Sequence, residues 1–445
     1  MYYGEKGDIM DFDNAMDAYK RRYRDNFNVS APQFCRDVTF QVTEACNLKC
    51  TYCYQTNKSP KVMSWETAKA CVDLLFKMWL DDDPDGFINK KTEFIILDFI
   101  GGEPMLQVNL IDKIVNYFMQ TALDMVPLWA ETFMISMASN GTIYFTPEVQ
   151  NFIKKWNHRL SYSVSIDGPK EMHDACRVFP DGKGSFDLAK AAQDHYNATH
   201  AMPTGTKATI SWDNMPLLDK TIQYFINQGY KQIHANTIYE EDWTPKQGQL
   251  FYQKLKQIAD ILLLHNGDVE IALFDNRFFH PRNDMEQTWC GGYDSMLAFD
   301  TEGKCYPCVR YMDSSLNGKA KPVVIGDAWH GLWKTEEQKH CHECLANITW
   351  YSQNDEECRN CPIAQGCADC AAESYQYHGC FNKRHKEGSC WVHRARSLAN
   401  VYYWNKLYRQ QGSQERFKRY LPDNLALQIV SQEELEMLNA LESED

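Results

Sequence analysis

Short apolar runs and amphipathic helical stretches alternate along the chain from Val38 to about His265. This alternation predicts βα units and therefore a parallel sheet. The predicted strands are residues 38–43, 93–100, 132–139, 160–167, 206–212 and 231–239. A helix is predicted from Ser64 to Leu80, because apolar residues recur there at helical spacing on one face. Six units are fewer than the eight of a closed barrel, so we expect an α/β fold in the form of an open partial (β/α)6 barrel.

The sequence pattern changes after Leu273, where the regular alternation of apolar runs and helical stretches stops. Eleven of the 17 cysteines lie between Cys290 and Cys390, which predicts a second domain organised by metal and containing little regular structure. Beyond this region a helical stretch leads to an acidic tail, which we expect at the surface. The predicted domains are an N-terminal extension (1–35), the barrel (36–275), the cysteine-rich domain (276–395) and a C-terminal helical tail (396–445).

The net charge of -14 argues against nucleic-acid binding, because neutralising phosphates requires a basic face. The basic run from Lys383 to Lys386 is short and is interpreted as solvated surface. No apolar stretch approaches the roughly 20 residues of a membrane span, so no membrane anchor is expected. The N-terminus has no signal-peptide pattern. We therefore expect a cytoplasmic protein whose thiols are reduced or bound to metal.

Cys46, Cys50 and Cys53 form a C-x3-C-x2-C run directly after the first predicted strand. Three thiolates in such a loop can ligate three irons of a [4Fe-4S] cluster and leave the fourth iron open to a small molecule. The alternatives are a zinc knuckle, although zinc loops prefer paired C-x2-C hooks, and a run of unrelated core cysteines. The spacing therefore favours a cluster with one open iron.

The same run resembles the signature of the radical S-adenosylmethionine (SAM) enzymes, in which the open iron chelates SAM. Gly101, Gly102, Glu103 and Pro104, at the end of the second strand, resemble the family's motif for the SAM amino group. The resemblance also implies further SAM contacts from Tyr52, Ser139, Asn140, Ser165, Asp167 and Arg177. Tyr52 would pack near the adenine, and Arg177 would pair with the SAM carboxylate.

The cysteine-rich half resembles the SPASM domain of radical SAM peptide and protein maturases. It has C-x12-G-x4-C followed by C-x2-C-x5-C-x2-C and a last cysteine, one residue short of the usual spacing before Cys370. The resemblance implies two auxiliary [4Fe-4S] clusters, giving three in all. Cys290, Cys308 and Cys370 would hold the first, with Cys305 as a candidate fourth ligand or with one iron open. The second would be held by Cys358, Cys361, Cys367 and Cys390. Cys341, Cys344 and Cys380 stay unassigned.

The residue after Cys308 bears on the reaction. Sulfatase-maturating enzymes carry an Asp there, but this chain has Val309, which cannot accept a proton. Arg310 is the one weak catalytic candidate, and no acid or base can be assigned.

The chain looks more like the peptide maturases of Cys-containing precursors, including the CXXX-repeat target group. The resemblance implies an oxidoreductase that takes hydrogen from a ribosomally made peptide and installs a Cys sulfur-to-carbon thioether. The alternatives are carbon-carbon crosslinking, epimerisation, sulfatase maturation and a non-enzymatic iron-sulfur electron carrier.

The partners implied are a Cys-containing precursor peptide and a flavodoxin- or ferredoxin-type electron donor. Many peptide maturases carry a winged-helix module that binds the leader of the precursor. The 45 residues before Cys46 are too few for a complete module, so we expect leader recognition by a separate leader-binding protein, by another surface or by a shortened element.

Overall fold

The computed structural model describes residues 35–200, 206, 208–286, 290–292 and 295–443. The predicted N-terminal extension, apart from Cys35, lies outside the described residues. The strands are β1 (Cys35–Thr43), β2 (Phe94–Gly101), β3 (Met134–Ser139), β4 (Leu160–Val164), β5 (Ala208–Ile210), β6 (Gln232–Ile233), β7 (Ala235–Thr237), β8 (Glu270–Ile271), β9 (Met296–Phe299), β10 (Lys304–Tyr306), β11 (Gly326–Asp327) and β12 (Gly331–Leu332).

Helices cover the sheet and fill the connections between strands. In the first half they are α1 (Trp65–Asp81), α2 (Val108–Met125), α3 (Pro127–Thr132), α4 (Pro147–Trp156), α5 (Lys170–Cys176), α6 (Phe186–Thr199), α7 (Leu218–Asn227) and α8 (Pro245–Leu263). In the second half they are α9 (Asp313–Leu316), α10 (Glu336–Ala346), α11 (Trp350–Gln353), α12 (Glu356–Arg359), α13 (Ala371–His378), α14 (Cys390–Gln410), α15 (Asp423–Ala426) and α16 (Gln432–Ser443).

The predicted first strand and helix show how the sequence pattern produces the fold. Val38 and Phe40 of β1 are fully buried, in the same apolar core as α1. Ser64 begins α1 as its N-cap, since its hydroxyl accepts a hydrogen bond from the Thr67 backbone N–H at 3.0 Å. The helix predicted from Ser64 to Leu80 is therefore present, with its bounds shifted by one residue.

Strands β1 to β4 run parallel to one another in an eight-stranded sheet with the order β12-β11-β10-β9-β1-β2-β3-β4. The predicted α/β class with a central parallel sheet is confirmed. The predicted strand 231–239 is divided into β6, which pairs with β8, and β7, which pairs with β5. Within the described residues, no ladder joins β4 to β5. The six predicted strands thus do not form one continuous ladder.

The cysteine-rich half returns to this sheet. Its strand β9 lies parallel to β1, with Asp37 opposite Met296 and Phe40 opposite Phe299. Strands β10 to β12 continue the sheet in antiparallel order. The cysteine-rich half of the chain is therefore attached to the parallel strands by backbone hydrogen bonds as well as by side-chain packing.

The C-terminal tail packs on the molecule, which corrects the expectation that it lies at the surface. Leu435 and Leu438 of α16 are buried. Glu434 accepts hydrogen bonds from the Tyr252 hydroxyl at 2.5 Å and from the Lys256 ammonium at 2.7 Å. The tail is acidic in composition, yet its leucines recur at helical spacing and form an apolar face. No helix in the described ranges is both long and apolar enough to cross a membrane.

Replacing Leu438 tests this packing. Leu438→Ala should lower the free energy of unfolding by about 2–5 kcal/mol, because it removes buried methyl groups and leaves a cavity. The matched control is Leu427→Ala, whose side chain is 42% exposed. Chemical denaturation of the full chain measures both variants, and equal midpoints for the two would contradict the packing of α16.

Candidate functional site

The first cysteine loop follows the carboxyl end of β1. Its backbone is tied to the segment around Arg177, with Lys49 N–H donating to Val178 at 2.7 Å and Thr51 N–H donating to Cys176 at 3.0 Å. Cys46, Cys50 and Cys53 are half-buried, and their thiols interact electrostatically with one another. Burial raises the pKa of the Cys50 thiol to about 11. Iron binding must therefore displace protons from this loop.

Gly101 and Gly102 let the end of β2 touch this loop. The Gly102 N–H donates to the Thr43 carbonyl at 3.1 Å, and the Glu103 N–H donates to the Ala45 carbonyl at 2.9 Å. A Cβ at Gly102 would lie 2.4 Å from the Ala45 oxygen and 2.6 Å from the Cys46 Cβ. A side chain at this position would therefore displace the cysteine loop.

Glu103 joins this edge to the end of β3. Its buried carboxylate accepts hydrogen bonds from the Ser139 hydroxyl and the Asn140 N–H, both at 2.8 Å, and from the Met105 N–H at 3.1 Å. A carboxylate has about four acceptor sites, so one stays for the ammonium that the sequence resemblance assigns to it. Burial raises the pKa of Glu103, against the effect of these hydrogen bonds.

Two residues that the sequence analysis missed also contact the loop. Asn47 accepts from the Asn140 amide and donates to the Thr142 hydroxyl, both at 2.7 Å, and so ties the loop to the turn after β3. The pKa of Lys58 is raised by the Cys53 and Cys46 thiolates, although burial opposes the shift. Asn47 could have been predicted to contact the loop, because it lies between two of the cysteines in the sequence. No feature of the sequence around Lys58 predicts its contact.

Asp167, Arg177 and Tyr52 form a third contact around the loop. The wholly buried Asp167 accepts hydrogen bonds from the Tyr52 hydroxyl and from Arg177 Nε, the latter at 3.0 Å. The Arg177 guanidinium lies 5.4 Å from the centre of the Tyr52 ring. Ser165 N–H donates to the Ser139 carbonyl at 2.8 Å. The residues predicted to contact SAM therefore meet on one rim, and Asp167 orients the other two of its group.

The second cysteine group brings together Cys290, Cys308 and Cys370. A Cβ added to Gly292 would lie 3.5 Å from the Cys290 sulfur and 3.7 Å from the Cys308 sulfur. The two sulfur atoms therefore lie on either side of the same position in the structure. Burial and the neighbouring thiols of Cys370 and Cys290 raise the pKa of Cys308.

Cys305 lies in the apolar core of the molecule, and its candidacy as a fourth ligand of this group stays a prediction. It is fully buried on β10, and the charged groups that raise its pKa, after burial itself, are Cys71, Asp327 and Asp300. Residues 305 and 308 are separated by the end of β10, and the chain turns between them. Spacing in the sequence could not show this change of direction.

The third group comprises Cys358, Cys361, Cys367 and Cys390, which line one cavity together with Arg384. Arg384 Nη2 donates to the Cys367 sulfur at 3.0 Å. The interpretation of residues 383–386 as solvated surface is therefore wrong for Arg384 and His385, which are 7% and 8% exposed. A short basic run gave no signal for this, because the burial comes from distant cysteine loops.

The four cysteines and Arg384 fit an iron-sulfur cluster on the chemistry of their donors. Arg384 Nε and Nη1 are buried and have no hydrogen-bond partner among the described residues. Buried donors of this kind need acceptors, and the sulfur atoms of a cluster supply them.

Arg310 lies between the first and second cysteine groups. Its guanidinium bonds Glu240 at 2.5 Å and Glu373 at 2.9 Å, and it lies 5.0 Å from the centre of the Tyr54 ring. Tyr54 follows Cys53 directly, and Glu373 lies three residues after Cys370. An arginine is not deprotonated in proteins. These contacts place Arg310 between residues that adjoin the two cysteine groups, and its charge makes it unsuited to act as a base.

The unassigned cysteines lie apart from these groups. Cys341 and Cys344 share one face of α10, and the Cys344 sulfur is 3.7 Å from His340 Nε2. Across the described ranges, no three His, Cys, Asp or Glu side chains are placed to hold a single metal ion. Cys380 follows the glycine that ends α13.

A cavity of about 710 Å³ lies beside β6 and β7, on the side where the sheet does not close. Tyr239 and Arg396 line it, together with Gly366 and Ala368 next to Cys367. The Tyr239 hydroxyl also lies near the Cys370 thiol, which raises its pKa after burial does. The cavity therefore reaches the neighbourhood of the second cysteine group, and its size is that of an ordinary ligand pocket.

Comparisons with known proteins agree with this arrangement. Residues 35–175 match the family described as a 4Fe-4S single cluster domain. An uncharacterized protein of Methanocaldococcus jannaschii is 30% identical over 199 residues, which are 44% of this chain and 61% of that protein. A cysteine-type anaerobic sulfatase-maturating enzyme of Clostridium novyi is 22% identical over 332 residues, which are 71% of this chain and 82% of the relative. The chain thus spans less than two thirds of the archaeal relative.

A solved structure of a similar fold is titled native anSMEcpe with bound AdoMet and Cp18Cys peptide. It has a TM-score of 0.60 and 16% sequence identity, and the match covers 85% of this chain and 99% of that chain. At this identity the likeness shows the fold.

Replacing Gly102 tests the contact between β2 and the first cysteine loop. Gly102→Ala should lose iron from this loop, because the new Cβ would overlap the Ala45 backbone. The control is Gly412→Ala, where the backbone has φ +70° but no atom lies within 4 Å of the added Cβ. Iron and sulfide analysis after anaerobic reconstitution measures both, and full loading of Gly102→Ala would contradict the proposed close contact.

Proposed function

We propose that this chain, a relative of the radical SAM maturases that shares their fold, modifies a ribosomally made peptide by hydrogen abstraction and forms a Cys thioether. The proposal includes three [4Fe-4S] clusters, one at each cysteine group. The cluster at Cys46, Cys50 and Cys53 would supply the electron that cleaves SAM, so that the adenosyl fragment can take a hydrogen atom from the peptide. The chain's own residues would bind SAM, orient the peptide and hold the clusters in place.

The observation that carries the proposal is the link through Arg310. One guanidinium contacts Tyr54, next to the SAM-binding loop, and Glu373, one helical turn from Cys370. The first two cysteine groups therefore face a common space. A peptide in that space could offer a carbon to the SAM side and a thiol to the Cys308 side, and catalysis would come mainly from proximity.

The position of Cys305 supports an open iron in the second group. Three cysteines converge there, and Cys305 lies with Cys71 in the barrel core. An iron without a protein ligand can bind a substrate thiolate and lower the pKa of that thiol. The balance of the step is then complete: the carbon loses a hydrogen atom to the adenosyl fragment, the thiol loses a proton, and the new carbon-sulfur bond releases one electron to the auxiliary clusters.

A peptide substrate also agrees with the relatives. The solved structure with the similar fold is titled with a bound Cys-containing peptide. The Clostridium novyi relative is a sulfatase-maturating enzyme, which favours formylglycine formation as the second candidate. Val309 opposes it, because no proton acceptor follows Cys308. A flavodoxin- or ferredoxin-type protein is the proposed electron donor.

The ligand assignment can be tested at two cysteines three residues apart. Cys308→Ala should lose about a third of the bound iron, since one of three clusters would lose a ligand. Cys305→Ala should retain all iron, because its thiol lies in the barrel core. Iron analysis and electron paramagnetic resonance of the reconstituted variants measure this. Equal iron loss in the two variants would assign Cys305 as a ligand and remove the argument for an open iron.

The product can be tested by mass spectrometry. The enzyme is incubated anaerobically with SAM, dithionite and the short Cys-containing peptide encoded beside its gene, and the peptide is analysed before and after thiol alkylation. We expect a loss of two hydrogens and fewer alkylatable thiols, because the thioether consumes a thiol. Cys46→Ala should abolish SAM cleavage, whereas Cys71→Ala, in the barrel core, should retain it.

Other products would contradict the thioether proposal in distinct ways. Loss of two hydrogens with every thiol free would assign carbon-carbon crosslinking. An unchanged mass with deuterium incorporated from solvent would assign epimerisation. Loss of the cysteine sulfur with gain of an aldehyde would assign formylglycine formation. No SAM cleavage by the loaded enzyme would leave a non-enzymatic electron carrier.

A further inference from the structure

We propose that Arg384 is a positioning group that raises the reduction potential of the cluster held by Cys358, Cys361, Cys367 and Cys390. This inference rests on the proposed function only in that it needs a cluster at these four cysteines. It does not depend on the peptide or on the product. The residue belongs to a basic run that by composition predicts only surface.

Arg384 is held inside the cysteine-rich half by three acceptors. Its Nη2 donates to the Cys367 sulfur at 3.0 Å, to the Ala368 carbonyl at 2.8 Å and to the Ser389 hydroxyl at 3.0 Å. Its side chain is 3% exposed, and its guanidinium lies 4.7 Å from the centre of the Trp350 ring. The charge is therefore fixed beside one cysteine of the group and shielded from water.

The other two nitrogens of the guanidinium are not satisfied by the protein. Nε and Nη1 are buried and donate to no hydrogen-bond acceptor among the described residues. Asp369 is the nearest carboxylate, but its oxygen lies 3.8 Å from Nε, beyond hydrogen-bonding distance. Arg384 lines the same cavity as the four cysteines, so these donors and the thiols share one enclosed space. Sulfur atoms of a bound cluster would accept from them.

The electrostatics of Arg384 differ from those of Arg310. Arg310 has carboxylates at 2.5 Å and 2.9 Å, so its positive charge is balanced within the protein. Arg384 has a carboxylate near it, that of Asp369, whose oxygen lies 3.8 Å from Nε, and its shorter contact is the 3.0 Å hydrogen bond from Nη2 to the Cys367 sulfur. A cation beside a cluster stabilises the more negative, reduced state. Removing Arg384 would therefore make the cluster harder to reduce.

The consequence for the proposed reaction is a preferred destination for the released electron. The second cysteine group borders Arg310 with its two close carboxylates, whereas the third borders Arg384, which has a carboxylate oxygen of Asp369 at 3.8 Å and a direct hydrogen bond to a cysteine sulfur. We infer that the third group holds the auxiliary cluster that accepts the electron more readily, and that Arg384 is one cause of this difference.

The experiment is a potentiometric titration of the full, anaerobically reconstituted chain, followed by electron paramagnetic resonance without SAM or peptide. Arg384→Met should shift the midpoint potential of one cluster to a lower value and leave the others unchanged. Arg384→Lys, which keeps the charge but not the planar set of donors, should shift it less. The matched control is Arg359→Met, because this arginine is next to Cys358 but stacks on Tyr351 at 3.8 Å in a more solvated position. It should leave the potentials unchanged.

Several outcomes would decide the inference. Unchanged potentials in both Arg384→Met and Arg384→Lys, with full iron content, would overturn it and leave Arg384 a purely structural residue. An equal shift in Arg359→Met would also overturn it, because the effect would then be one of general charge. Should Arg384→Met lose the cluster, the comparison of Arg384→Lys with the parent chain still decides. Full iron retention by Cys390→Ala would overturn the inference by removing the cluster itself.

The proposed function can fail separately from this inference. A potential shift in Arg384→Met together with an unmodified peptide would support the role of Arg384 and contradict the peptide assignment. A modified peptide with no potential shift would do the reverse.

Discussion

The contact between the first cysteine loop and the end of β2 is the constraint on which the rest of the site depends. Gly102 brings the backbone of β2 against Ala45 and Cys46, where no side chain would fit. Glu103 then reaches the end of β3 through Ser139 and Asn140. The cysteine loop thus takes its position from the parallel strands, and the polar groups that surround it are those at the carboxyl ends of the same strands.

Each cysteine group is accompanied by one arginine, and the three arginines are compensated differently. Arg177 pairs with the wholly buried Asp167, and Arg310 pairs with two carboxylates. Arg384 instead donates to a cysteine sulfur, has a carboxylate oxygen of Asp369 at 3.8 Å, and keeps two nitrogens without a hydrogen-bond partner among the described residues. Buried donors need acceptors, so the hydrogen bonding of Arg384 depends more on what the cysteines bind than that of the other two arginines. Arg177 and Arg310 would therefore orient neighbouring side chains, whereas Arg384 would change the reduction potential of a cluster.

The fold was predictable where local pattern and tertiary packing agree. The apolar stripe of α1 and its Ser64 cap are visible in the sequence, and so are β1 to β4, because buried parallel strands are apolar runs bounded by polar turns. The split of residues 231–239 and the return of β9 to the sheet were not predictable. Both depend on which strand edge is free in the assembled molecule, and strand pairing over such separations leaves no local signal. The same applies to α16, whose acidic composition concealed its buried leucines.

The C-x3-C-x2-C loop, the strand-end motifs and the two further sets of cysteine spacings can all be recognised along the chain. They follow from short-range spacing, because consecutive ligands on one loop must reach neighbouring irons. Which of these residues lie close together became visible in the folded molecule alone. Folding separated Cys305 from Cys308, placed Arg310 between two groups and buried Arg384. The physical reason is that burial and charge compensation arise from segments far apart in the chain, so that they exist only once the sheet and the cysteine-rich loops have packed together.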